Sequence, residues 1–259
     1  MAGLGEARRT LVAELLQSTG AVTITDLQDR FGVSPMTARR DLTILAERGV
    51  ARRTHGGAVL PSIAAYENSF THRLRDAPEA KLRLAEQAFA LLREGETVFL
   101  DASTTTYFVA RLIAERGLAV RVITNSLPVL QELAASERDA VEVVVIGGTF
   151  RRITHSHVGP SAVHGVRQHF ADRLFMSVTG VTGAGRLTDV DVLEAEVKRA
   201  MIEHAEQSVL LLDHSKLAAH GRQAVCPVSR LSLVITDGVD AADRTRLTRL
   251  GATLSAAGR

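Results

Sequence analysis

From residue 97 onward, short apolar runs alternate with helical stretches, and no other feature of the 259-residue chain restricts its fold as much. TVFLDAS (97–103), VRVITN (120–125), VEVVVIGG (141–148), RLFMSVTGV (173–181), SVLLLD (208–213) and LSLVITD (231–237) are nearly continuous in aliphatic and aromatic residues. Between them lie segments with helical spacing, to about residue 115, from Leu127, near 193–206 and near 241–249, before a closing ATLSA. A further helix starts near Lys81 and carries Leu84, Ala88, Leu91 and Leu92. Strands that are apolar on both sides need cover on both faces, so the pattern predicts an α/β domain with a mostly parallel sheet.

Sheets of this kind bind ligands at the carboxyl ends of their strands. Polar or glycine-rich clusters recur at that edge: Asp101 to Thr106, Thr124-Asn125-Ser126, Gly147-Gly148-Thr149, Thr179-Gly180, and Asp213 to Lys216. Any one cluster is ordinary turn chemistry; their recurrence at one edge points to a ligand. Consecutive hydroxyls opening a helix after a strand offer free N–H groups at the positive helix end, which suits a phosphate. Lys216 supplies compensating charge. Gly147-Gly148 lacks the third glycine of a dinucleotide fingerprint.

Composition narrows the class. Hydrophobic residues make up 46% and charged residues 23%, an ordinary globular balance. No apolar run reaches the roughly 18 residues of a membrane span, and MAGLGEARR has no signal-peptide core, so a cytoplasmic protein without membrane contact is expected. The single cysteine, Cys226, excludes an internal disulfide and a cysteine-cluster zinc site. His155-Ser156-His157 lacks a third ligand at useful spacing, so no metal and no cofactor are expected.

The N-terminal region has a different pattern. Ser34 can cap a helix whose first position is Pro35. Ala38, Leu42 and Leu45 then fall on one face, leaving Met36, Arg39, Arg40 and Thr43 on the other. Two helices precede it: Leu11, Val12, Leu15 and Leu16 before Gly20, and Leu27 with Phe31 before Gly32. Three short helices with a tight Gly32-Val33 turn predict a helix-turn-helix. VARRTHGGAVLP, after Gly49, reads as a β-hairpin wing, from which Arg52, Arg53 and His55 reach phosphates or the minor groove. Residues 1–61 hold eight arginines against six acids while the remainder balances, and within 34–61 the ratio is five to two. The excess surrounds the capped helix, as expected of a DNA-facing surface. Ser34, Met36, Thr37, Arg39, Arg40, Arg52, Arg53 and His55 are the expected DNA contacts. The domain boundaries follow: 1–60 winged helix-turn-helix, 61–80 linker with a short helix around Phe70–Arg75, and 81–259 α/β domain.

The run from Ser34 through Asp41-Leu42 to Arg53-Thr54-His55-Gly56-Gly57-Ala58 resembles the N-terminal signature of DeoR-family transcriptional regulators. The second half resembles that family's sensor domain through DASTTT, ITNSLPV, IGGTFRR, EAEVKRAMIEHA and LLDHSK. The resemblance runs from about Arg8 to Leu250. It departs at Ala38, where the family has a larger aliphatic residue, and at Ser103, where glycine is common. It implies a sensor domain similar in fold to ribose-5-phosphate isomerase and a phosphorylated sugar as effector. By the resemblance Asp101, Ser103, Thr104, Thr105, Asn125, Gly148, Lys198 and Lys216 form the effector site.

The resulting expectation is a repressor of carbohydrate-metabolism genes, without catalytic residues, that binds a double-stranded DNA operator. A lone helix reads too few base pairs, so a homo-oligomer, dimer or tetramer, is expected. The alternatives are a sugar-phosphate isomerase with an accessory N-terminal domain, and a DNA-binding scaffold with an empty sheet domain. Asp189, Asp191, Glu194 and Glu196 are the acids an isomerase would use. Asp191 and Glu196 read as helix-start residues, and Glu194 with Lys198 as an i, i+4 pair.

Overall fold

Thr23 and Asp26 build the first sharp corner of the chain. In the computed structural model, Thr23 Oγ1 accepts from the Asp26 N–H at 3.0 Å, and the Asp26 carboxylate accepts from the Thr23 N–H at 2.8 Å. This reciprocal cap starts α2 (Ile24–Phe31), and Gly32 ends it in the left-handed region at φ 61°. The described residues are 2–19, 21–48, 50–54, 56–59, 69–136 and 140–256, without the side chains of 2–4, 17–19, 21, 52 and 59. His55, the Arg52 side chain, residue 60 and residues 61–68 of the expected linker lie outside them.

The chain divides into two units, residues 1–67 and 68–259. In the first, α1 (Ala2–Thr19), α2 and α3 (Pro35–Glu47) pack with a small antiparallel sheet. Its strands β1 (Ala21–Thr23), β2 (Arg52–Arg53) and β3 (Gly57–Val59) lie in the order β1-β3-β2. The β2–β3 hairpin is the expected wing. Val12, Leu16, Leu27, Ala38, Leu42 and Leu45 form the core, with Ala58 from the wing. A Cβ on Gly57 would stand 2.0 Å from the Val22 carbonyl oxygen, so only glycine lets β3 pair this closely with β1.

The second unit opens with α4 (Phe70–Arg75) and α5 (Pro78–Ala90), so residues 69–80 belong to it rather than to a linker. Then follow β4 (Thr97–Leu100), α6 (Thr104–Arg116), β5 (Arg121–Thr124), α7 (Leu127–Ala134) and β6 (Glu142–Val145). Next are β7 (Thr149–Arg151), β8 (Ser156–Val158), α8 (Pro160–Arg167), β9 (Ala171–Met176), β10 (Gly180–Val181) and β11 (Arg186–Asp189). The chain closes with α9 (Val192–Glu203), β12 (Ala205–Asp213), β13 (Gln223–Pro227), β14 (Leu233–Asp237), α10 (Ala241–Arg249) and β15 (Leu254–Ala256).

Seven strands form one sheet in the order β15-β14-β12-β9-β4-β5-β6, every pair parallel. Alternate side chains enter opposite cores. Val98, Leu100, Val122, Phe175, Val209 and Leu211 pack with α5, α6 and α7. Phe99, Ile123, Leu174, Met176, Leu210 and Leu212 pack with α8, α9 and Leu247 of α10. Two antiparallel additions, β7–β8 and β10-β11-β13, go beyond the sequence expectation: β7, β8, β11 and β13 are too short or polar to register as apolar runs, and the run expected as one strand over 173–181 ends at Met176, its last two residues forming β10. From β4 the order runs outward to β5 and β6, then restarts on the other side of β4 with β9. The β4–β9 boundary is therefore the topological switch point, where the loops leave in opposite directions and a crevice opens.

Candidate functional site

Two surfaces collect the expected functional residues, one in each unit. In the first, the Ser34 Oγ accepts from the Thr37 N–H at 3.2 Å and meets the Thr37 hydroxyl at 3.0 Å, fixing the start of α3. Ala38, Leu42 and Leu45 face inward as the periodicity predicts. Met36 is 71% exposed, and Arg39, Arg40 and Thr43 are exposed beside it. Asp41 is buried, its carboxylate held by Arg8 Nε at 2.6 Å and Arg9 Nη1 at 3.2 Å, and so joins α3 to α1. Arg9 and Arg48 share Glu6, each at 2.5 Å, and their hydrogen bonds hold its carboxyl down near pKa 2.

These pairs sort the basic residues. Arg8, Arg9 and Arg48 serve the fold. Arg53 Nη1 donates to the Arg39 carbonyl at 3.0 Å and to the Thr43 hydroxyl at 2.7 Å, bracing the wing against α3. Among the described residues, Arg39 and Arg40 make no side-chain hydrogen bond or ion pair, so their guanidinium groups stand free on the exposed face. With Met36 beside them, α3 presents two forked donors and one apolar tip. Those are the groups that read guanine edges and thymine methyls in a major groove.

In the second unit the crevice is built on Asp101, which follows β4 and is 1% exposed. Its Oδ1 accepts from the Ser103 N–H at 3.0 Å and the Thr106 hydroxyl at 2.9 Å, and its Oδ2 from the Ser177 N–H after β9 at 3.2 Å. One carboxylate thus ties the two diverging loops of the switch point together. Ser103 caps α6, accepting from the Thr106 N–H at 3.2 Å. The hydroxyls of Thr104 and Thr105 make no hydrogen bond among the described residues, and the first-turn N–H groups have no intrahelical acceptor. Asn125, just past β5, donates to the His157 carbonyl at 2.9 Å while its side-chain oxygen is buried without a partner.

Lys198 has a structural place. Its ammonium, 7% exposed as a residue, lies 3.2 Å from Asp101 and 2.7 Å from Asp189 and donates to the Ser177 carbonyl at 2.7 Å. Burial pulls its pKa down, but the two carboxylates outweigh that and hold it above the ordinary lysine value. The expected Glu194–Lys198 helix pair is replaced by these contacts. Glu194 instead accepts from the hydroxyls of Thr154 at 2.7 Å and Ser156 at 2.6 Å, and its burial raises its pKa. Asp191 caps α9, accepting from the N–H groups of Leu193 at 2.9 Å and Glu194 at 3.2 Å. Gly148 is a packing glycine, since a Cβ there would lie 2.7 Å from the Val158 carbonyl oxygen. His155 stacks near Phe70 and Phe150, at 5.8 Å and 6.3 Å between ring centroids.

Two cations beside the crevice escaped the sequence reading. Lys81 of α5 is 3% exposed, and its ammonium donates to the carbonyls of Arg73 and Asp76. Arg73 of α4 has Nε and Nη2 buried without partners. The spacing held one signal: Lys81 shares a helix face with Leu84, Ala85 and Ala88, an inward position that a solvated lysine does not take. Lys216 is half-buried in the turn after β12, and desolvation lowers its pKa.

A winged helix with an exposed cationic reading face, joined to a parallel α/β unit with a polar crevice at its switch point, defines a class: a ligand-responsive transcriptional regulator. Residues 8–64 match the DeoR-like helix-turn-helix domain and residues 76–238 the DeoR C terminal sensor domain. The HTH-type transcriptional regulator GlpR of Haloferax volcanii is 35% identical over 248 residues, 95% of this chain and 96% of that protein. The glycerol-3-phosphate regulon repressor of Escherichia coli is 31% identical over 89% of this chain and 90% of its own. A solved ribose 5-phosphate isomerase A from Methanocaldococcus jannaschii is 19% identical over 54% of each chain with TM-score 0.39, a loose likeness that bears on neither site. The chain belongs to the DeoR family of transcriptional regulators. Among the described residues no helix is long and apolar enough to cross a membrane.

Proposed function

We propose that this chain is a cytoplasmic repressor of carbohydrate-metabolism genes whose operator affinity falls when a phosphorylated sugar enters the β4–β9 crevice. The observation that carries the effector reading is the first turn of α6. Asp101, Ser103 and Thr106 consume one another's hydrogen bonds and hold the turn, while Thr104 and Thr105 keep hydroxyls and N–H groups available. Such a turn binds a phosphate through oriented dipoles. Asn125 offers its unpartnered oxygen to a sugar hydroxyl, and Lys216 adds charge. Gly148 and Lys198 shape the crevice. Operator double-stranded DNA is read by Met36, Thr37, Arg39 and Arg40 from a helix capped by Ser34, with Arg52, Arg53 and His55 on the wing. Two or more copies act together, as one reading helix covers too short a site.

An enzyme reading is disfavoured by the acids. Asp101 and Asp189 both pair with Lys198, so neither is poised as a general base. The purified protein screened by thermal shift against phosphorylated sugars tests both points. A ligand that stabilises the protein and is recovered unchanged supports the sensor; a ligand that is converted contradicts it.

A further inference from the structure

The elbow between α4 and α5 gathers three cations, and the carboxylates near them are engaged by other groups. Arg73, in the last turn of α4, has two guanidinium nitrogens buried and without a partner among the described residues. Lys81, one turn into α5, is buried, and among the described residues its ammonium bonds only the carbonyls of Arg73 and Asp76. Lys216 comes in from the turn after β12 and makes no hydrogen bond or ion pair among the described residues. Three carboxylates face this group, of which Asp189 is paired with Lys198 at 2.7 Å. Asp213 is occupied by the Ser215 N–H at 3.0 Å and the Ser215 hydroxyl, and Asp76 lies 3.4 Å from His72. Buried cations that face each other raise the free energy of the site until an anion joins them.

The elbow itself is held under tension. Ala77, between the helices, sits at φ 45°, a left-handed conformation that a residue with a Cβ adopts only under strain. α4 is otherwise fastened at its other end, where the Phe70 N–H donates to the Ile153 carbonyl at 2.7 Å and the Phe70 ring meets Tyr107 of α6 edge-on at 5.9 Å. The helix thus lies against α6, whose first turn carries Thr104 and Thr105. It is also the first described element after the DNA-binding unit in the chain.

We propose that Arg73, Lys81 and Lys216 complete the phosphate seat begun by the first turn of α6, and that the bound phosphate monoester clamps α4 to the end of β12. The inference rests on the sugar-phosphate reading above and gives it a transmitting element. Arg73 supplies a two-pronged donor, which matches phosphate oxygens. Lys216 and the remaining proton of Lys81 close the cage from β12 and α5. Ligand occupancy then fixes α4, the first described helix of the second unit.

The test uses the full chain with inorganic phosphate as probe, read by calorimetry and by hydrogen exchange of residues 70–76. Phosphate is expected to slow exchange in α4. Arg73→Gln and Lys216→Gln, both at partly exposed positions that leave Lys81 in place, each weaken phosphate binding by about tenfold or more. Arg75→Gln, an exposed neighbour on the same helix, leaves binding unchanged. Wild-type affinity in both Arg73→Gln and Lys216→Gln, or binding without protection of α4, overturns the seat. If phosphate protects α4 but no phosphorylated sugar changes DNA affinity, the seat stands and the sensing reading falls.

Discussion

Arg39 and Arg40 differ from the paired arginines of the N-terminal unit in what they leave undone. Arg8 and Arg9 are committed to Asp41, Arg9 and Arg48 to Glu6, and Arg53 to the α3 backbone and Thr43. Arg39 and Arg40 carry no such commitment among the described residues, which is why the proposed operator reading gives them the base contacts. Replacing Arg40 with Ala is expected to weaken specific operator binding by about 1–3 kcal/mol while leaving thermal stability unchanged. A gel-shift titration checks it, and equal affinity of variant and parent would contradict the assignment. The sequence revealed the two arginines and their face, because helical spacing and the Ser34-Pro35 start are local signals. It could not reveal that Arg53 braces the wing, or that Lys198 is claimed by Asp101 and Asp189. Both facts depend on residues brought together from distant parts of the chain.

At the scale of elements, the main sheet was legible because each strand is a continuous apolar run. The small sheets were not, since β7, β8 and β10 span two or three residues and carry no sustained pattern. α4 shows how a local helix signal and a burial signal come apart: its length is readable, but its role depends on cations facing it from α5 and the turn after β12. Lys81 makes that role testable by pH. Burial and the neighbouring Lys216 push its pKa from 10.5 down to about 8, with Asp213 and Asp76 opposing and Arg73 adding to the fall. The folded value lies below the unfolded one, so the charge on Lys81 opposes folding below about pH 8, and that opposition lifts as pH rises toward 10.5. A bound phosphate reverses the preference by stabilising the ammonium, so binding takes up protons near pH 8. Phosphate affinity should therefore fall from about pH 7 to about pH 9, with calorimetric heats near pH 8 that depend on the buffer's ionisation enthalpy. A flat affinity with buffer-independent heats would contradict it.

For the whole molecule, the central claim is that occupancy at the first turn of α6 governs DNA affinity in a separate unit. A ligand can shift such an equilibrium only by its difference in affinity between the two states. In the proposed effector site that difference lies at Thr104 and Thr105, whose hydroxyls make no hydrogen bond among the described residues. The decisive measurement is the anisotropy of a labelled duplex, selected by the protein from a random pool, titrated with a phosphorylated sugar found to stabilise the protein. The wild-type protein should release the duplex as the sugar is added. The T104A/T105A double variant should bind the duplex with unchanged affinity and retain it at every sugar concentration. Release from the double variant at the same sugar concentration as from the wild type would contradict the account.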